Sequence, residues 1–130
     1  GTYIFNDRSL VENKICSEKK VALTVLATVV STPTKNRAII DAGSKVLTSD
    51  LLGMNDHGSI VNYPELRITQ LTEEHGTIVS EQNTNLVIGQ KIEIIPNHAC
   101  VVTNMLNEVN LITEEKKIKK VKVIARGKVW

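Results

Sequence analysis

The stretch "VALTVLATVVST", Val21 to Thr32, constrains the fold of this chain more than any other. Outward and inward positions alternate along it and β-branched residues dominate, the pattern of a strand with one face against a core. Pro33 and the polar "TKNR" are expected to end it. The same grammar recurs downstream. Arg37 to Asp41 reads as a short strand closed by Ala42-Gly43, and Leu66 to Thr72 alternates apolar with polar. Thr77 to Ser80 resumes after Gly76, and Lys91 to Ile95 stops at Pro96. Val109 to Thr113 and Lys120 to Ala125 flank the charged "EEKKIKK" as a hairpin, whose lysines read as edge protection. "NDHG", Asn55 to Gly58, has turn chemistry. Roughly seven or eight strands at this spacing predict a mainly β domain, a barrel or sandwich. One or two short helices are expected, within Ser44 to Leu52 and Thr103 to Asn107.

At 130 residues the chain suffices for one domain with a real core and is too short for two. Its 16 basic and 14 acidic residues favour no strongly charged partner. The aromatic residues are Tyr3, Phe5, Tyr63 and Trp130, too few for a base-stacking platform, so no nucleic acid is expected. No run approaches the ~20 apolar residues of a membrane span, and the start does not read as a signal peptide. Cys16 and Cys100 are too few for a disulfide framework and read as reduced thiols of a cytoplasmic protein. The opening Gly-Thr-Tyr, without methionine, reads as cut from something longer or processed.

Four polar stretches are not strand filler: "GTYIFND", "DAGSKVLTSD", "EEHG" and "PNHAC". In the last, residues two apart on an extended chain face the same way, so His98 and Cys100 can aim at one point. Imidazole and thiolate are both good zinc ligands. The plain alternative is a hydrogen-bonded histidine beside a small buried thiol. A metal here needs a further ligand, from His75, Asp50, His57, water or a partner surface. A Cys–His nucleophile is a further alternative. His75 in "EEHG" also reads as a solvated turn residue. "DAGSKVLTSD" offers Asp41, Lys45, Ser49 and Asp50 around a tight turn, without P-loop spacing.

Taken in order, "GTYIFND", "DAGSKVLTSD", "EEHG", "GQKIEIIPNHAC" and "ARGK" resemble the C-terminal domain of D-threonine aldolase and D-serine dehydratase. These are metal-activated pyridoxal-phosphate enzymes of the alanine racemase fold type, fold type III. The resemblance covers Gly1 to about Lys128, and residues 1–130 read as one such domain. It departs from the family after the pair, where Val101 stands in place of a frequent proline.

The resemblance implies an N-terminal β/α barrel, absent from this chain, that carries pyridoxal phosphate on a lysine. The chain has no room for a barrel of about 250 residues, and Lys45 does not match the cofactor lysine. It implies a divalent metal at His98 and Cys100, with zinc favoured by the thiolate. Tyr3, Asp41, Ser49, Asp50 and His75 match family motifs and are expected at the active-site rim, with no catalytic residue in this part. The implied function is that of the metal-binding domain of a lyase acting on small D-hydroxy amino acids. Dehydratase, aldolase and racemase chemistry all lie within its scope. The barrel domain is the implied partner and a homodimer the implied full-length form, and the isolated domain is expected to be inactive. The alternative is a stand-alone β-barrel binding or docking module without catalysis.

Overall fold

The computed structural model describes residues 1–128. Two short helices, α1 (Thr2–Phe5) and α2 (Arg8–Glu12), precede a six-stranded antiparallel sheet. Its strands are β1 (Val25–Thr34), β2 (Arg37–Ile40), β3 (Ser59–Ile60), β4 (Arg67–Leu71), β5 (Gly76–Val79) and β6 (Lys91–Ile95). They lie in the order β3-β6-β1-β2-β5-β4. Helix α3 (Ser44–Leu47) follows β2 and helix α4 (Ala99–Met105) follows β6. A two-stranded hairpin, β7 (Glu108–Ile112) and β8 (Ile118–Lys122), stands outside the main sheet.

The long strand β1 organises the sheet by pairing on both sides. Its first half meets β6, with Val25 opposite Ile94 and Thr28 opposite Lys91. Its second half meets β2, with register shifts between Val29 and Ser31 and between Ser31 and Thr34. Bulges of this kind bend a strand and raise its twist. They also explain why β1 runs on to Thr34 through Pro33 instead of stopping there. The proline falls where the ladder is already irregular and no N–H is needed. The bend curls the sheet towards closure. The end strands approach each other, where His57 donates its backbone N–H to Ile68 O at 3.0 Å. Gly58 makes this approach possible. Its φ is +138°, and a Cβ there would lie 2.7 Å from Ile94 Cγ2.

Inside the nearly closed barrel the alternating positions meet. Val25, Ala27 and Val29 of β1 pack with Ala38 and Ile40, Ile68, Ile78, Ile92 and Ile94. Leu47 of α3 and Val102 of α4 join the same core. Each fully buried isoleucine or leucine contributes about 1.5–3 kcal/mol relative to exposure. Several strand limits differ from the sequence expectation. β8 begins at Ile118, and β3 was not foreseen, having only two paired residues. Helix α3 is one turn, and α4 begins at Ala99 instead of Thr103. No helix of the described residues is long and apolar enough to cross a membrane.

Candidate metal centre

Strand β6 ends at Ile95, and Pro96 carries the chain out of the ladder. Asn97, 1% exposed, then locks the turn. Its Nδ2 donates to Asp50 O at 3.0 Å and to Asp56 O at 2.7 Å. From the other side, Arg8 N donates to Pro96 O at 3.0 Å, and Ser9 N to Asn97 O at 3.4 Å. The turn is thus gripped by the N-terminal segment and by the loop after α3.

His98 and Cys100 do not sit on one extended strand. His98 is extended, at φ −138° and ψ 102°, and stands as the N-cap of α4, whereas Cys100 is already in the first helical turn. Their approach comes from the strand-to-helix corner, not from the two-residue alternation of a strand. His98 makes no side-chain cap bond. Instead Asp7, 92 residues away and wholly buried, accepts Ala99 N–H on Oδ2 at 2.9 Å. Carboxylates are favoured at helix starts because they satisfy a free N–H there.

Asp50 accepts a hydrogen bond from His98 Nδ1 at 2.8 Å. That holds the imidazole ring by Nδ1. Burial opposes protonation of His98, but the hydrogen bonds to Asp50 and Cys100 and their charges outweigh it, so its pKa lies above the usual value. Cys100 shifts the other way. The Thr2 hydroxyl is the largest cause lowering the thiol pKa, burial works against it, and the Thr2 N–H and His98 reinforce the lowering. A thiol held towards its thiolate beside an imidazole anchored through Nδ1 is a donor set that fits a borderline-soft divalent metal such as zinc. Both side chains are part-exposed, His98 at 27%, so the pair is open on one side.

The loop that delivers Asp50 is strained. Thr48 has φ 63° and ψ 169°, a region that costs a β-branched residue about 1–3 kcal/mol. Its Oγ1 accepts Asp50 N–H at 3.3 Å. Asn6, at φ 55° and ψ 170°, is in the same region immediately before Asp7.

The remaining expected residues are placed as follows. Tyr3 is 93% exposed, next to Thr2. Ser49 is exposed, one residue before Asp50. Asp41 accepts Thr28 N–H on Oδ1 at 2.6 Å, which extends the β1–β2 pairing. His75 closes the β4–β5 turn, its N–H donating to Thr72 Oγ1 at 3.1 Å and its carbonyl accepting from Thr72 N at 2.8 Å. "DAGSK" and "EEHG" do meet, but as a clasp: Ser44 N donates to Thr72 O, and Lys45 pairs with Glu73 at 2.9 Å and Glu74 at 2.6 Å. Among the described residues no group of three or more His, Cys, Asp or Glu is arranged to hold a metal, so His57 and His75 complete no such set with the pair.

Thr2, Asp7, Arg8 and Asp56 were not foreseen. Asp56 pairs with Arg8 Nη1 and with Arg67 Nε, the latter at 3.1 Å. The local signal for Asp7 was an acidic residue before a helical turn, where it accepts Leu10 N–H as N-cap of α2. Nothing local announced that its other oxygen reaches α4.

Fold and centre together define a nearly closed antiparallel β domain carrying a His–Cys pair at a strand-to-helix corner. The family described as a putative serine dehydratase domain matches residues 22–112, and the chain belongs to it. An uncharacterized protein of Mycobacterium tuberculosis (strain ATCC 25618 / H37Rv) is 34% identical over 131 residues, spanning 96% of this chain and 98% of the relative. D-serine dehydratase of Dictyostelium discoideum is 33% identical over 132 residues, covering 91% of this chain but 33% of that enzyme. The solved D-threo-3-hydroxyaspartate dehydratase from Delftia sp. HT23 superimposes with a TM-score of 0.80 at 26% identity, over 94% of this chain and 37% of its own. A cysteine-to-alanine mutant of that enzyme, solved in the metal-free form, aligns at 25% identity with a TM-score of 0.79, over 94% of this chain and 37% of its own. The chain therefore spans about a third of the enzymes it resembles and nearly all of the mycobacterial relative.

Proposed function

We propose that this chain is the metal-binding domain of a pyridoxal-phosphate-dependent lyase acting on small D-hydroxy amino acids, of the D-serine dehydratase or D-threonine aldolase type. The observation that carries the reading is the paired support of the two donors: Asp50 on His98 Nδ1 at 2.8 Å and Thr2 on Cys100 Sγ at 3.1 Å. His98 Nε2 and Cys100 Sγ would hold the metal, and zinc suits the thiolate. The Delftia enzyme has a form described as metal-free, which supports metal binding in such enzymes. When bound, the metal supplies Lewis acidity towards a substrate hydroxyl. Two side chains leave the other positions to water, substrate or a partner polypeptide.

Lys45, in the "GSK" stretch, does not fit the cofactor lysine. It donates to Glu74 and Glu73, which raises its pKa above the ordinary lysine value and ties it into the clasp between two turns. The cofactor, its lysine and the α-proton base belong on a β/α barrel, in cis or as a second polypeptide, with a homodimer as the complete form. The chain's own residues orient and anchor. Asp50 sets the imidazole, Thr2 the thiol, and Asn97 and Asp7 hold the corner between them. The isolated chain is inactive on this reading, and cytoplasmic chemistry suits its reduced cysteines.

A second reading, a binding module without catalysis, draws on the mycobacterial relative matched over 98% of its length. Purification of the protein from its native source decides between them. The lyase reading predicts a pyridoxal-phosphate absorbance band in the purified assembly and zinc-dependent turnover of D-serine or D-threonine. An assembly without the band and without turnover supports the binding module.

A further inference from the structure

Cys100 Sγ receives two contacts from a single residue. Thr2 donates its backbone N–H at 3.2 Å, and its hydroxyl oxygen lies 3.1 Å away. On its other side that hydroxyl lies 3.3 Å from Asp7 Oδ2. The same Oδ2 accepts the N–H of Ala99, the residue between His98 and Cys100. Asp7 itself is immobilised through Oδ1, which accepts from Ser9 Oγ at 2.5 Å and from Leu10 N at 3.3 Å. The backbone before Thr2 is pressed onto the sulfur as well, since a Cβ at Gly1 would overlap Cys100 Sγ.

We propose that Thr2 is a positioning residue for Cys100, holding Sγ in a single orientation towards the metal, with Asp7 as the buried anchor of both Thr2 and the ligand-bearing turn. The proposal rests on the metal reading above and extends it to residues outside the ligand pair.

The Thr2 hydroxyl thus bridges Cys100 Sγ and Asp7 Oδ2, and Asp7 Oδ2 also holds the Ala99 N–H, so the sulfur and the turn that bears it share one buried anchor. Groups that hydrogen-bond a metal ligand set its orientation, and their loss typically costs about 10–100-fold in metal affinity. Threonine suits the role because β-branching restricts its χ1.

The test compares the 130-residue chain with Thr2→Val, which keeps the shape and removes the hydroxyl, and Thr2→Ser, which restores it. Thr2→Ala replaces the valine variant if NMR amide dispersion shows that valine disturbs the fold. Two readouts are taken: the χ1 couplings of Cys100 in the metal-free chain, and zinc affinity by chelator competition. The expected result is one Cys100 rotamer in wild type and Thr2→Ser but averaged rotamers in Thr2→Val. Zinc binding is expected to weaken about 10-fold in Thr2→Val and to recover in Thr2→Ser. A single unchanged rotamer in Thr2→Val, or a serine variant as impaired as the valine one, overturns the proposal. Wild-type chain that binds no zinc while the rotamer result holds refutes the metal reading and leaves the positioning role standing.

Discussion

Asp50 Oδ2 lies 2.8 Å from His98 Nδ1 although 48 residues separate them in the chain. The contact joins the strained loop after α3 to the corner between β6 and α4, and it decides which imidazole nitrogen faces outward. Replacing Asp50 with Ala removes the acceptor and frees the ring. Zinc affinity of the chain is expected to fall about 10–100-fold, read by chelator competition. An unchanged affinity would show that the carboxylate does not orient the ligand.

Asp7 is wholly buried and serves four donors: Thr2 Oγ1, Ser9 Oγ, Leu10 N and Ala99 N. In Asp7→Ala the buried Ala99 N–H is left unpaired, whereas Leu10 N–H keeps the backbone carbonyl of residue 7 at 3.2 Å. Unpaired buried donors cost about 1–3 kcal/mol each. Urea unfolding of Asp7→Ala is expected to show a loss of about 1–3 kcal/mol, with Asp7→Asn, which keeps an acceptor, losing less. Equal stability of wild type and Asp7→Ala would contradict the anchoring role.

Much of the barrel was written in alternation. Lys91–Ile95 forms β6 with the limits expected, and Val25, Ala27 and Val29 are buried as the period-two pattern of "VALTVLATVVST" requires. The elements that the sequence concealed depend on long-range contacts. Strand β3 is only Ser59–Ile60 and exists because β6 supplies its partners. Helix α4 starts at Ala99 because a carboxylate 92 residues earlier caps it, and no window around "PNHAC" contains that information. The His98–Cys100 pair was visible in the sequence, but its geometry was misread as a strand's. Its supports, Thr2 and Asp7, were invisible because a lone hydroxyl and a lone carboxylate near a chain start carry no spacing signal. Asp41 and His75 matched motifs yet make backbone contacts in a strand pair and a turn.

His57 gives the stability a pH dependence of definite sign. Burial lowers its pKa below the ordinary 6.5, against an opposing pull from Asp56, and its Nδ1 is buried without a partner among the described residues. The unfolded chain therefore binds this proton more readily than the folded one. The stability His57 permits is present above about pH 6.5 and is lost as pH falls below it towards the depressed folded pKa. His98 has a raised pKa, so its contribution runs in the opposite direction, present at low pH and lost as pH rises through its folded value. The difference between wild type and His57→Gln isolates the first effect. Unfolding midpoints at pH 7.5 and pH 5.5 are expected to show wild type losing ground to the variant on acidification. A constant difference would mean that His57 has the same pKa folded and unfolded.

Metal binding at the His98–Cys100 corner is what the proposed function requires first. Zinc titration of the reduced 130-residue chain, by calorimetry with a chelator competitor, measures this directly alongside His98→Ala and Cys100→Ala, with Cys16→Ser as the control for the other thiol. One zinc per chain is expected in wild type and in Cys16→Ser, with binding weakened at least about 100-fold in each ligand variant. Equal zinc binding in wild type, His98→Ala and Cys100→Ala would show that this corner is not a metal site.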